Sequence, residues 1–512
     1  MLNSTMRGQK SVWCCLGVCL GLLTAPAFNA EADATLTFST VFAFDLNSTA
    51  AGVVDAQVNG THYLYGSIIN TSLSYGGAIY RVGLNGGAPQ TIYQLKDTDG
   101  YDPSAGLLVA TDPSQSKTYL YGATKYGPKV GNVTNTGPGT LFRVAPDGTG
   151  YTTLHTFAAA TNNIYTEGVS PDFALIDGGD GYAYGVTTSG GTNNTGTIFR
   201  MKLDGTVFQK LHDFAALDVN GLNADGQGAV PTASLVLANG RLYGVTQYGG
   251  TNPWTSGCST DGSTTCTTTS TGTIYSLNPD GSDFQTIYNF TPLDTSTGTG
   301  ATGRNPDGVL PKGALLYEPT SGLLVGTAVA GGQGIDSSST IGYGTVFSLA
   351  TDGTPAGTTF TTLHSFTGVD GSSPFGNLML ANDGLIYGMT SGGTNSTTTP
   401  YSAYGTVFSI DTSGGFNLAY GFITTDVSGL TGGLIQASDG NFYGTGTSGG
   451  ACPYYGGAVY RLSSTGSTTT NPYSNCTATT SSGGGSMSPG LLWLLAALGL
   501  APPVRRRLFT FK

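Results

Sequence analysis

Two short motifs recur seven times, in fixed order, along this chain of 512 residues, and a repeat of that kind restricts the fold more than any other feature. The first motif is an aromatic residue followed by glycine at the end of an apolar run. It stands at Leu64-Tyr65-Gly66, Leu120-Tyr121-Gly122, Ala183-Tyr184-Gly185, Leu242-Tyr243-Gly244, Ile386-Tyr387-Gly388 and Phe442-Tyr443-Gly444, with Leu324-Val325-Gly326 in the remaining place. The second is Gly-Thr-aliphatic-aromatic, clearest at Gly139-Thr140-Leu141-Phe142, Gly196-Thr197-Ile198-Phe199, Gly272-Thr273-Ile274-Tyr275, Gly344-Thr345-Val346-Phe347 and Gly405-Thr406-Val407-Phe408. Gly77-Ala78-Ile79-Tyr80 and Gly457-Ala458-Val459-Tyr460 are close variants.

Two further elements complete the unit. An Asp-Gly turn follows the second motif at Asp147-Gly148, Asp204-Gly205, Asp280-Gly281 and Asp352-Gly353. It predicts a two-residue hairpin with both residues at positive φ. A strand ending in an aromatic comes next, as in Leu154-His155-Thr156-Phe157 or Ile287-Tyr288-Asn289-Phe290, and another apolar strand precedes each first motif. Each repeat thus holds four short strands, and seven radial copies of a four-stranded sheet make a seven-bladed β-propeller. The last repeat stops after Val459-Tyr460-Arg461-Leu462, one strand short, while the first strand of the chain, Thr40-Val41-Phe42-Ala43-Phe44, resembles a fourth strand. It is expected to complete the last blade and close the ring, leaving no open edge. Composition agrees: 81 Gly, 28 Tyr and 22 Phe with 10% charged residues suit many short strands and tight turns, and argue against disorder.

These motifs, in a propeller expected over residues 38–463, resemble the bacterial GloVer tandem-repeat family over roughly 40–463, whose members carry assorted C-terminal anchors. The resemblance implies a surface or secreted repeat protein, and it supplies no catalytic residues to carry over.

Both ends of the chain read as addresses. Arg7 and Lys10 precede the apolar run Val12–Leu23 and an Ala-x-Ala exit, the pattern of a secretory signal peptide over residues 1–27. Cleavage is expected after Ala27, with Ala30 and Ala34 as alternatives. A Gly/Ser/Thr-rich linker, 464–488, leads to an apolar segment and basic stop over 489–507. Gly483, Gly484 and Gly485 precede the segment, and Arg505, Arg506 and Arg507 end it. This tail resembles the GlyGly-CTERM sorting signal of Gram-negative bacteria, which implies a sorting protease as a partner and release at the cell surface. It departs from that pattern at Pro502-Pro503 and Leu508–Lys512, and a plain transmembrane anchor is the alternative. Of the seven cysteines, Cys258, Cys266, Cys452 and Cys476 lie outside the signal segment. Four cysteines allow three connectivities, and proximity favours Cys258–Cys266 and Cys452–Cys476.

The chemistry-bearing residues are sparse. Net charge is −11, and six of the 19 basic residues sit in the terminal segments, so the body is more acidic still and nucleic acid is excluded as a partner. His155, His212 and His364 share one repeat position with Tyr93 and Tyr288, which marks packing rather than metal ligation. Asp97-Thr98-Asp99-Gly100 and Asp177-Gly178-Gly179-Asp180-Gly181 are candidate Ca²⁺ turns without the full ligand series, so no cofactor is expected. Glutamate occurs only at Glu31, Glu167 and Glu318. The long connections all fall on one face, where an extracellular ligand (glycan, peptide or envelope component) would bind over the central channel. The reading is a monomeric, exported binding propeller without catalytic activity. The alternative is a propeller lyase or glycoside hydrolase working at the same face.

Overall fold

The computed structural model describes residues 36–44, 48–70, 76–129, 137–223, 225–256, 267–292, 305–333, 341–393, 404–423, 426–449 and 457–464. The signal segment, the linker beyond Ser464, the sorting tail and the four cysteines named above lie outside them. The described residues are all-β, and each repeat forms one antiparallel sheet with its strands in chain order. The third blade shows the plan: Ile176–Asp177, Tyr182–Thr187, Thr197–Lys202 and Phe208–Asp213.

The two sequence motifs meet within every blade. In blade 3, Gly185 pairs with Phe199 across the second and third strands, and the Phe199 ring lies over the glycine Cα. A Cβ on Gly185 would stand 2.5 Å from Phe199 Cζ and 2.7 Å from Leu175 Cδ2, just before the inner strand. Glycine is therefore required by close packing, not by a turn. Gly122 under Phe142 and Gly326 under Phe347 repeat the arrangement. The tyrosine before the glycine faces the neighbouring blade: Tyr65 Oη donates to the Pro146 carbonyl (3.1 Å) and Tyr121 Oη to that of Leu203 (3.0 Å).

The ring closes as expected. Leu36–Ala43 pairs antiparallel with Ala458–Ser464, with Thr37 opposite Ser463 and Ala43 opposite Ala458, so the chain's first strand is the outer strand of blade 7. Seven of the apolar clusters among the described residues each draw on two adjacent blades, and one joins blade 7 to blade 1 through Val41, Phe44, Tyr443 and Val459 against Val53, Leu64, Tyr80 and Val82. Tyr443 Oη donates to the Leu84 carbonyl (3.1 Å), repeating at the seam the contact made at ordinary junctions.

The histidine position is a junction device. Tyr93, His155, His212, Tyr288 and His364 on the outer strands stack on Tyr151, Phe208, Phe284, Phe360 and Phe416 of the following blade, with ring centroids 3.7 to 4.3 Å apart. Each polar tip reaches an acceptor in the next connection: Tyr93 to Asp99 (2.8 Å), His155 to Glu167 (3.0 Å), His212 to Gln227 (3.0 Å), Tyr288 to Asp307 (2.7 Å) and His364 to Asp370 (2.9 Å). A flat ring with a polar tip at similar reach meets both needs, so Tyr and His interchange there.

One expectation is corrected. The Asp-Gly turns are not two-residue hairpins. Gly148, Gly205, Gly281 and Gly353 have positive φ while their aspartates do not, and the loops are longer, as where Lys202 N donates to the Val207 carbonyl. Each aspartate instead accepts from the residue two places on, such as Thr149 or Thr206, by main chain and hydroxyl together. That local capture accompanies an aspartate that is not at positive φ. The two-residue turn with both residues at positive φ occurs between first and second strands, at Asn59-Gly60 and Asn239-Gly240.

Candidate functional site at the channel mouth

The inner strands of all seven blades surround a central cavity of about 750 Å³. How each blade enters that wall is set by one backbone device. Asp102, Ser170, Val230, Leu310 and Ser373 all have φ between 50° and 61°, and each precedes a proline: Pro103, Pro171, Pro231, Pro311 and Pro374. Left-handed backbone costs an L-residue about 1–2 kcal/mol, and a β-branched Val230 is an outlier. The main-chain N–H groups of Asp102, Val230, Leu310 and Ser373 donate across the blade junction, as from Val230 to Thr195 (2.8 Å) and from Leu310 to Thr271 (2.9 Å). The proline ring then covers the glycine of the preceding blade's second motif, Pro231 on Gly196 for example. The turn delivers the residue after each proline to the cavity wall: Ser104, Asp172, Thr232, Lys312 and Phe375, with Thr431 after Leu430 in blade 7.

A second ring of positions ends the second strands. Ile69, Gln247 and Thr447 from it line the cavity, and Lys125 holds the same place in blade 2. Because consecutive strands are antiparallel, this is the end of the ring that carries the long connections, including the extra hairpin Pro253–Ser256 with Thr267–Ser270 on blade 4.

The charged residues of these rings gather on one side. Lys125 Nζ lies 3.3 Å from Asp172 Oδ2, with the two side chains 33% and 21% exposed. Asp102 joins them from the blade 2 entry turn; its Oδ1, like Asp172 Oδ1, is inaccessible and accepts no hydrogen bond. Burial pushes the Asp102 and Asp172 carboxyls above the ordinary aspartate value, against the opposing pull of Lys125. Burial also opposes the Lys125 charge, yet Asp172 holds its pKa above the usual lysine value. The two carboxyls thus favour folding most when protonated. That contribution is complete below the ordinary carboxylate pKa and is lost as pH rises through their raised folded values. The turn carboxylates behave oppositely: hydroxyl donors from Thr149, Thr206, Ser282 and Thr354 pull Asp147, Asp204, Asp280 and Asp352 down. Carboxyls whose charge works against the fold, placed beside a cavity, make this side of the channel a candidate functional site. Lys312, two blades on, is exposed and has no carboxylate partner among the described residues.

None of these four was singled out from the sequence. A signal existed: Pro-x-x-x-Leu recurs at Pro103, Pro171, Pro231, Pro311 and Pro374 and marks the channel entry of five blades. The candidate Ca²⁺ turns, by contrast, spend their carboxylates on the scaffold. Asp99 accepts from Tyr93 Oη and Lys96 N, and Asp97 from Tyr101 Oη and Lys129 Nζ. Asp177 accepts from Gly179 N, and Asp180 from Tyr182 N and Tyr184 Oη. Among the described residues no group of three or more His, Cys, Asp or Glu could hold a metal ion.

The fold and this site define a repeat propeller with a ligand-sized channel mouth. The chain belongs to the Gloeobacter/Verrucomicrobia repeat family, whose model matches residues 56–333 and 257–451. No curated protein matches the sequence. Among solved structures it is similar to a GH74 enzyme from Niastella koreensis (14% identity, TM-score 0.41, 76% of this chain and 47% of that one), so it spans about half of that protein. It is also similar to an α-L-arabinanase from Penicillium chrysogenum complexed with arabinobiose (17%, TM-score 0.39, 74% and 98%). An oligogalacturonate lyase in complex with manganese is a third (11%, TM-score 0.41, 84% and 96%). At these TM-scores the likenesses carry no argument about activity.

Proposed function

We propose that this protein is an exported propeller that binds an extracellular ligand at the channel mouth on its long-loop face, and that it is held at or released from the cell surface through its C-terminal tail. The observation that supports this reading is the cavity of about 750 Å³, a volume usual for ligand sites, beside charged groups that the scaffold leaves partly unsatisfied. The signal-like residues 1–27 and the tail 483–512 support export and sorting.

The test is capture of ligand from an envelope fraction and a glycan array by the purified protein, set beside Thr232→Trp, which puts a bulky ring into the cavity wall, and Lys117→Ala on the opposite face. Binding is expected to be lost in the first variant and retained in the second. Binding indifferent to Thr232→Trp would refute the channel reading, and unchanged localisation on deleting 483–512 would refute the sorting reading. Turnover of a bound glycan, abolished by Asp172→Asn with binding retained, would move the protein to the lyase or hydrolase class.

A further inference from the structure

We propose that the ligand taken at this mouth is a neutral carbohydrate, gripped through adjacent hydroxyls by the Asp172 carboxylate and the Lys125 ammonium; this rests on the channel-mouth reading above. The ion pair places an acceptor and a donor side by side, and both side chains stay partly open. An ammonium has three donors and only one is turned to Asp172, while Asp172 Oδ2 has two lone pairs and turns one of them to Lys125; Oδ1 is closed off and takes no part. The pair therefore has donor and acceptor capacity left over, the complement of two neighbouring hydroxyls, each of which both donates and accepts.

The remaining wall favours the same class. Ser104, Thr232, Ser234, Gln247, Asn377 and Thr431 offer neutral hydrogen-bonding groups, and half-buried Phe375 offers an aromatic surface of the kind sugar rings pack on. The inner strand leaves its ladder at the cavity, between Phe375 and Met379 in blade 6 and between Thr431 and Ile435 in blade 7. Main chain as well as side chains thus form the wall. Charge balance separates this class from ionic ligands. Asp172 and Lys312 line the cavity, and Asp102 and Lys125 stand beside Asp172, two charges of each sign, so the mouth favours neither a polyanion nor a polycation.

The experiment is titration calorimetry of the full-length protein with neutral oligosaccharides (β-1,4-glucan, xylan, mannan and α-1,4-glucan fragments), with thermal melts establishing that each variant is folded. At least one neutral oligosaccharide is expected to bind. Asp172→Asn and Lys125→Met should each weaken it about tenfold or more, the loss of one charge-assisted hydrogen bond, and Lys117→Ala should leave it unchanged. If no neutral oligosaccharide binds while an envelope component is captured in a manner sensitive to Thr232→Trp, the carbohydrate assignment fails and the channel reading stands. A peptide as that component would be one such outcome. Sugar binding that ignores both Asp172→Asn and Lys125→Met would overturn the grip proposed here.

Discussion

A chain lacking residues 36–44 is expected to lose its cooperative fold. The segment is the outer strand of blade 7, and it buries Leu36, Val41 and Phe44 to 7%, 6% and 3% exposure. At about 1.5–3 kcal/mol for each large apolar side chain, those three alone contribute roughly 5–9 kcal/mol, comparable to the whole stability of an ordinary domain. Deletion also bares the edge of Ala458–Ser464 and removes the Phe44–Tyr80 contact (5.6 Å between ring centroids) that helps seal blade 7 to blade 1. An exposed strand edge of that length invites pairing with another chain. Soluble yield and thermal unfolding read the outcome: insoluble protein, or a broad transition at much lower temperature. A sharp melt at the parental temperature would show that the strand is dispensable.

Gly185→Ala should damage blade 3 through packing alone, since its φ is not in the left-handed region. The added carbon meets a ring and a leucine that are both buried, so neither can swing into solvent. Overpacking of this kind costs about 1–3 kcal/mol, and the melting temperature should fall by several degrees. Phe199→Leu in the same chain should recover part of the loss, with a coupling energy of about 1 kcal/mol between the two sites in a double-mutant cycle. Gly240→Ala is the contrast. Its surroundings are open, but its φ is +77°, so only the left-handed backbone penalty of about 1–2 kcal/mol applies, with no coupling to Phe199. Equal effects at Gly185 and Gly240, with no coupling to Phe199, would contradict the packing explanation of the aromatic-Gly motif.

The blade was legible because its determinants are contacts within one repeat. Aromatic-Gly and Gly-Thr-aliphatic-aromatic recur together because the ring of one covers the glycine of the other, and covariation of that kind shows in a single sequence. The missing strand was legible for the same reason, since one repeat lacked what the chain's start supplied. The Asp-Gly turns were misread because the pair alone does not fix loop length. An aspartate that captures the N–H and hydroxyl two residues on prefers a longer loop with only the glycine at positive φ. The site was less legible. Asp102, Lys125, Asp172 and Lys312 are single charged residues in three different repeats, far apart in sequence, and only closure of the ring places them around one mouth. The histidines, conspicuous by type, went to the junctions, where stacking on the next blade occupies them.

Every statement about the mouth depends on the ring being one closed circle, and a designed cross-link at the seam tests that most directly. Thr37 and Ser463 are opposite one another in the ladder with their hydroxyls 3.1 Å apart, although 426 residues separate them in sequence. With Thr37→Cys and Ser463→Cys combined, peptide mapping after mild oxidation should find an intramolecular disulfide between positions 37 and 463 in monomeric protein, absent from either single variant. Positions 37 and 463 left free, or linked only between chains, would contradict a ring closed by its first strand.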